Sequence, residues 1–189
     1  MRVSRERVAE NRMRILEAAS RLFRAHGFEA VTVAEVMKAA GLTHGGFYGH
    51  FKSKDDLIAQ ALAHVLAAAA PSEVDLADYA ATYLSPSHRD DLAGGCPTAG
   101  LGGETIRQPP EARAAMTAGL RRQIERFIQG APGDGPAERR RAAIGSWAAM
   151  VGAVILARLS DDPELSDEML AETRAWIAGK GAAEAPDNG

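Results

Sequence analysis

Thr32-Val33-Ala34-Glu35-Val36-Met37-Lys38-Ala39-Ala40-Gly41-Leu42-Thr43-His44-Gly45-Gly46-Phe47-Tyr48-Gly49-His50-Phe51-Lys52-Ser53-Lys54-Asp55-Asp56-Leu57 is the most informative segment of this chain. Thr32 precedes an apolar run and Glu35 follows it by three residues. This spacing predicts a capping box, in which the hydroxyl bonds the N3 amide and the carboxylate reaches back to the cap. The helix so started ends at Gly41, and only Leu42 separates that glycine from a second helix predicted over Thr43 to Phe51. Lys52 breaks the pattern. Ser53 then caps a third helix, with Asp55 and Asp56 in its first turn, where carboxylates complement the helix dipole. Two short helices joined at a glycine form a helix-turn-helix candidate.

Upstream, Val8, Ile15, Ala18, Ala19, Leu22 and Phe23 recur at helical spacing between Arg7 and His26, and Gly27 follows where a C′ glycine belongs. Phe47 and Phe51, four apart, are expected in the core of this small domain. Charge singles out the same region. Residues 1–54 hold ten basic and five acidic side chains, net +5, in a chain of net −3, which leaves −8 for the rest. A basic head on an acidic body points to a polyanion partner. Arg2, Arg5 and Arg7 are expected to form an arm towards phosphates or the minor groove.

The remainder of the 189 residues also predicts helices, and no strand pattern emerges. The predicted segments are Ser72–Leu84, Pro97–Gln108, Glu111–Gln129, Ala137–Leu159 and Pro163–Ala178, with a polar loop over Ser85–Gly95. The fold class is therefore all-α. Its domains are expected at 1–52 and 53–180, followed by a disordered tail at 181–189. No uncharged run exceeds the 16 residues between Arg141 and Arg158, short of the ~20 a spanning helix needs. No charged region followed by an apolar one opens the chain, so a cytoplasmic location without membrane contact is expected. A single cysteine excludes an internal disulfide framework.

The quoted segment closely resembles the DNA-binding domain of TetR-family transcriptional repressors of the TetR/AcrR type, over roughly residues 8–60. The turn glycine, the Tyr and His of the recognition helix, and Phe51-Lys52-Ser53-Lys54-x-x-Leu57 carry the likeness. Tyr83-Leu84-Ser85, Gly95-Cys96-Pro97, Leu101 and Glu104 resemble the branch whose ligand domain begins with a Gly-Cys-Pro segment. The resemblance implies a three-helix DNA-binding domain, a helical ligand-binding and dimerisation domain, and a homodimer that represses transcription from a palindromic double-stranded operator. A small-molecule effector would lower operator affinity. At matching positions, Thr32, Tyr48, His50 and Lys54 would contact phosphates, Thr43, His44, Gly45 and Gly46 would face bases or the adjacent backbone, and Lys52 belongs to the same DNA-binding set. With Gly45, Gly46 and Gly49 in the recognition helix, readout is expected to rely on shape and backbone more than on base contacts.

Ile144, Val151, Ile155 and Leu159, with Met169 and Trp176 on the last helix, make apolar stripes suited to a four-helix dimer interface, and equally to an intrachain core. Tyr79, Tyr83, Cys96, Leu101, Glu104, Met116, Leu120, Phe127, Trp147 and Met150 are candidate linings for a small apolar or aromatic effector, or simply core. Cys96 precedes Pro97, which favours the first helical position, so the thiol falls at an N-cap. That setting leaves two readings, a thiolate sensing electrophiles or oxidants and an inert buried cap. No metal-ligand spacing, nucleotide fingerprint or catalytic constellation appears, so neither enzyme nor cofactor is expected. The rival class is a helical interaction module whose basic head binds something other than DNA.

Overall fold

The computed structural model describes residues 5–68 and 75–183, with side chains through 179. Among these residues the secondary structure is helical, with no strand. The helices are α1 (Arg5–His26), α2 (Val33–Ala39), a 3-10 helix η1 (His44–Gly49), α3 (Lys54–Ala67), α4 (Leu76–Tyr83) and α5 (Pro86–Asp90). They continue as α6 (Pro97–Thr105), α7 (Pro110–Gly130), α8 (Pro136–Leu159) and α9 (Pro163–Ala183). Contacts divide the chain into two units: Met1–Ala69 with Leu92–Gly119, and Ala70–Asp91 with Leu120–Gly189. The division does not fall at residue 53, because α3 packs on α1 and α6 joins them.

In the first unit, α1 buries Ile15, Leu16, Ala19 and Phe23. These meet Val36, Met37, Phe47, Phe51, Leu57, Ile58, Ala61 and Leu62 in one apolar core. Phe23 meets Phe28 edge-on at 5.3 Å, and Phe47 stacks on Phe51 at 5.7 Å. The expected burial of Phe47 and Phe51 is observed. Ser20 Oγ, itself buried, donates to the Leu16 carbonyl in α1 and the Ala61 carbonyl in α3. Helix α6 is clamped to the end of α1 at two places. Arg24 donates to the Gly95 carbonyl at 2.9 Å, and the Glu104 carboxylate accepts from the Phe28 N–H at 2.7 Å.

In the second unit, α8 and α9 are joined through Ser160–Asp162 and pack on each other and on α4. Ser166 Oγ donates to the Ala157 carbonyl at 2.8 Å. Arg89, at the end of α5, donates to Ser166 Oγ and to the Asp167 and Asp90 carboxylates. Arg158 donates back to the carbonyls of Arg89 and His88. By length and composition α8 could cross a membrane, which the 16-residue uncharged run alone did not suggest. Its buried side chains (Ala143, Ser146, Trp147, Met150, Ala153, Val154 and Ala157) make it a core helix of this unit.

Several sequence expectations are corrected. The polar Ser85–Gly95 loop contains α5, because Ser85 caps it through the His88 N–H and Pro86 sits in its first turn. The Pro97–Gln108 helix stops at Thr105. The last helix runs to Ala183, so residues 181–183, expected in a tail, are helical, and 184–189 lie outside the described residues. The helix expected from Ser72 is capped by Asp75 and begins at Leu76, while 69–74 lie outside the described residues. Arg5 and Arg7 belong to the first turns of α1 and so do not form an extended arm, and Arg2 lies outside the described residues.

Candidate nucleic-acid interface

The capping box at the start of α2 forms as expected. The Glu35 N–H donates to Thr32 Oγ1, and Glu35 Oε2 accepts from both the N–H and the hydroxyl of Thr32. These bonds hold the Glu35 carboxyl below its ordinary pKa. They also occupy both donors of Thr32, so this residue first of all fixes where α2 begins. At the other end, Gly41 at φ 67° closes a Schellman motif. The Gly41 N–H donates to the Lys38 carbonyl and the Leu42 N–H to the Met37 carbonyl.

The recognition segment is a 3-10 helix over His44–Gly49, where an α-helix over Thr43–Phe51 was expected. Three of its six residues are glycines, each costing ~1 kcal/mol relative to alanine in an α-helix. Gly46 N–H to Thr43 O and His50 N–H to Phe47 O supply the tighter i+3 bonds. Phe47 anchors the segment inward, and Tyr48 projects outward, 75% exposed, its ring edge-on to Phe47 at 5.2 Å. Thr43, His44, Gly45 and Gly46 are exposed beside it, and His50 is half-buried against Phe51. A Cβ built on Gly45 or Gly49 would meet nothing within 4 Å. The fold itself therefore does not demand a bare backbone there.

A chain of side chains that the sequence reading missed fixes the turn after this segment. The Arg12 guanidinium lies 4.8 Å over the Phe51 ring and donates to Gln60 Oε1. Gln60 Nε2 donates to Asp56 Oδ1 at 2.6 Å, and Asp56 Oδ2 accepts the Lys52 N–H at 2.9 Å. The Lys52 amide above all holds the Asp56 carboxyl below its ordinary pKa, and the Gln60 amide and the Lys52 and Arg12 charges help it outweigh the opposing effect of burial. An arginine five places after Arg7 with a partner at Gln60 gives no local spacing signal, so only the tertiary structure exposes it. Lys52 is exposed, while Lys54 donates to the Glu29 carbonyl at 3.3 Å and braces the turn before α2.

Thr32, Thr43, His44, Gly45, Gly46, Tyr48, His50, Lys52 and Lys54 thus all belong to α2, η1, α3 or their flanks, on a basic, three-helix scaffold. Residues 15–61 match the family model "Bacterial regulatory proteins, tetR family". This is a TetR-family helix-turn-helix domain. The HTH-type transcriptional regulator AcrR of Shigella flexneri is 41% identical over 59 residues, which is 31% of this chain and 27% of that protein. The HTH-type transcriptional repressor Rv1474c of Mycobacterium tuberculosis is 36% identical over 56 residues, 30% of each chain. The chain therefore aligns with less than a third of these relatives' length. Across most of its length the fold is that of TetR-family proteins. It superposes on Escherichia coli NemR in its reduced form with a TM-score of 0.71 and 23% identity, covering 89% of this chain and 95% of that one. A TetR-family regulator from Cytophaga hutchinsonii gives a TM-score of 0.71 at 20% identity, covering 95% and 98%.

The ten candidate effector residues do not belong to one unit. Cys96, Leu101, Glu104 and Met116 fall in the unit of the TetR-type domain. There Leu101 and Met116 are buried, Thr98 approaches the Met116 sulfur at 3.9 Å, and Glu104 spends its carboxylate on Phe28. Cys96 is half-buried at the N-cap of α6, with Pro97 following. The other six are in the second unit, where Tyr79, Tyr83, Phe127 and Trp147 form one aromatic cluster with centroid separations of 4.9–5.7 Å. Leu120 is half-buried and Met150 fully buried nearby in the chain. Of the dimer candidates, Ile144, Leu159 and Trp176 are exposed, and Val151, Ile155 and Met169 are half-buried. Leu156 and Leu165, exposed on the same two helices, extend this apolar surface.

Proposed function

We propose that the protein is a transcriptional repressor that binds a palindromic operator as a homodimer and leaves it when a small apolar or aromatic effector binds. The exposed Tyr48 beside Thr43, His44 and Lys52, on a recognition segment anchored by buried Phe47 and Phe51, is the observation that carries the reading. Tyr48 and the nearby cations would set register on phosphates, and the bare Gly45–Gly46 backbone would lie against base edges. Two such segments about 34–36 Å apart would enter successive major grooves. The exposed apolar residues of α8 and α9 support dimerisation through these helices, since large apolar patches on a surface mark association sites. Such a dimer works in the cytoplasm, where its operator is.

The test is binding of the purified chain to the DNA flanking its own gene, with size-exclusion mass and a salt series. A dimer bound to one site, with affinity falling steeply as salt rises, is expected. Tyr48→Ala should weaken binding and leave the dimer folded. A monomer, or binding indifferent to sequence, would return the protein to the class of helical interaction modules.

Cys96 supports a second reading, a repressor released by thiol modification. Cys96 is half-buried at the N-cap of α6, with Pro97 following. Loss of operator binding on treatment with an electrophile, abolished in Cys96→Ser, is the outcome this reading requires.

A further inference from the structure

The second unit holds buried hydrogen-bond donors without acceptors. Trp147 Nε1 and Gln123 Nε2 are both inaccessible to solvent and have no partner, and Trp147 as a whole is 7% exposed. Such groups are uncommon in folded proteins, and a buried donor left unpaired is destabilising. The two belong to one neighbourhood. Gln123 lies one helical turn before Phe127 on α7, and the Phe127 ring is 5.5 Å from that of Trp147 on α8. Tyr79 and Tyr83 of α4 complete the aromatic surface, at 4.9 Å from Phe127 and 5.4 Å from Trp147.

The charges around this cluster point the same way. The Arg126 guanidinium lies 5.5 Å from the Tyr79 ring centroid. His88, 4.4 Å from the Tyr83 ring, is disfavoured from taking a proton by burial and by Arg158, against weaker support from the Tyr83 carbonyl and Asp91. An oxygen acceptor held against these rings would find two buried donors, Trp147 Nε1 and Gln123 Nε2.

We propose that the cluster of Tyr79, Tyr83, Gln123, Phe127 and Trp147 is the effector subsite, and that it selects planar aromatic molecules carrying a hydrogen-bond-accepting carbonyl oxygen. The rings stack on the aromatic scaffold of the ligand, and Trp147 Nε1–H and the Gln123 amide bond its oxygen. This rests on the effector-responsive reading above and assigns the ligand's chemistry.

The experiment compares 2-acetylnaphthalene with 2-ethylnaphthalene, near-isosteres differing in the acceptor oxygen, by isothermal titration calorimetry on the full chain without DNA. The ketone should bind at least about fivefold more tightly, the scale of one well-made hydrogen bond in a buried site. Gln123→Leu and Trp147→Phe should each shrink that ratio while leaving the hydrocarbon's affinity nearly unchanged. Because Trp147 is a core residue, Gln123→Leu alone decides if Trp147→Phe fails to fold. Equal affinities for the two compounds, no heat from either, or a ratio untouched by Gln123→Leu overturns the proposal. Operator binding is measured separately on the ligand-free chain. Its absence would sink the repressor reading and leave the ratio as found. Operator binding without ketone preference would sink only the subsite.

Discussion

Gly27→Ala probes the junction between α6 and the DNA-binding helices. Gly27 adopts φ 84°, a region costing an L-residue about 1–2 kcal/mol. A Cβ at this position would stand 2.5 Å from Glu104 Oε1. The Glu104 side chain would therefore swing away, and its other oxygen would lose the Phe28 N–H, now at 2.7 Å. A hydrogen bond to a charged group contributes about 1.5–3 kcal/mol. Alanine also restricts the unfolded chain, which returns about 0.4–1 kcal/mol. The net expected loss is about 2–4 kcal/mol. Glu104→Ala alone should cost about 1.5–3 kcal/mol, all of it from the same bond. In the double variant the bond can be lost only once and the clash is gone, so the total should stay near that of Gly27→Ala. The coupling is then about 1.5–3 kcal/mol, well above the ~0.5 kcal/mol scatter of independent sites. Urea unfolding followed by circular dichroism, at one protein concentration to hold any dimer contribution fixed, measures all four proteins. Additivity within that scatter would refute the claim that a side chain at position 27 competes with the Glu104 carboxylate for one space.

Gly45→Ala places a methyl group in open space on the recognition segment. It should leave thermal stability unchanged or raise it slightly, yet weaken operator binding at least about tenfold, since any clash would be with DNA. A parallel loss of both would contradict this. Arg89→Met removes bonds to Ser166, Asp167 and Asp90 from a side chain that is 18% exposed. Because both aspartates are solvent-exposed, the Ser166 bond dominates and the expected cost is about 1.5–2.5 kcal/mol by urea unfolding, with less than about 0.5 counting against it. Burial and the positive charge of Arg158 lower the pKa of His88 from its ordinary 6.5, outweighing the opposing Tyr83 carbonyl and Asp91. The unfolded chain therefore binds this proton more readily, so the contribution is neutral above 6.5 and destabilising as pH falls below it. His88→Gln should flatten that part of the melting-temperature profile, and an unchanged slope would assign it to other groups.

What the sequence could and could not reveal follows from the range of the interactions. The capping box of Thr32 and Glu35, the turn at Gly41, the Ser53 cap and the inward Phe47 and Phe51 are all set within four residues, and each was legible. The recognition segment was placed correctly but given the wrong helix type. Periodicity marks its apolar face, whereas three glycines decide how tightly its backbone winds. Helix α5 was missed because its five residues bury no side chain, and so carry no hydrophobic period. Long-range pairs left no local trace at all: Arg12 with Gln60, Arg24 with Gly95, Glu104 with Phe28.

Glu104 shows why this gap matters for function. In the sequence it is the only acidic group among ten residues offered as lining for a small apolar or aromatic effector. The structure places that carboxylate on the Phe28 N–H, where it holds α6 to the turn that precedes α2. The aromatic cluster of the second unit then contributes donors, Trp147 Nε1 and Gln123 Nε2. With the proposed subsite, a screen that the sequence would begin on small apolar or aromatic molecules narrows to aromatic carbonyl compounds. If aromatic cations bind this cluster better than their neutral carbonyl analogues do, the donor argument fails.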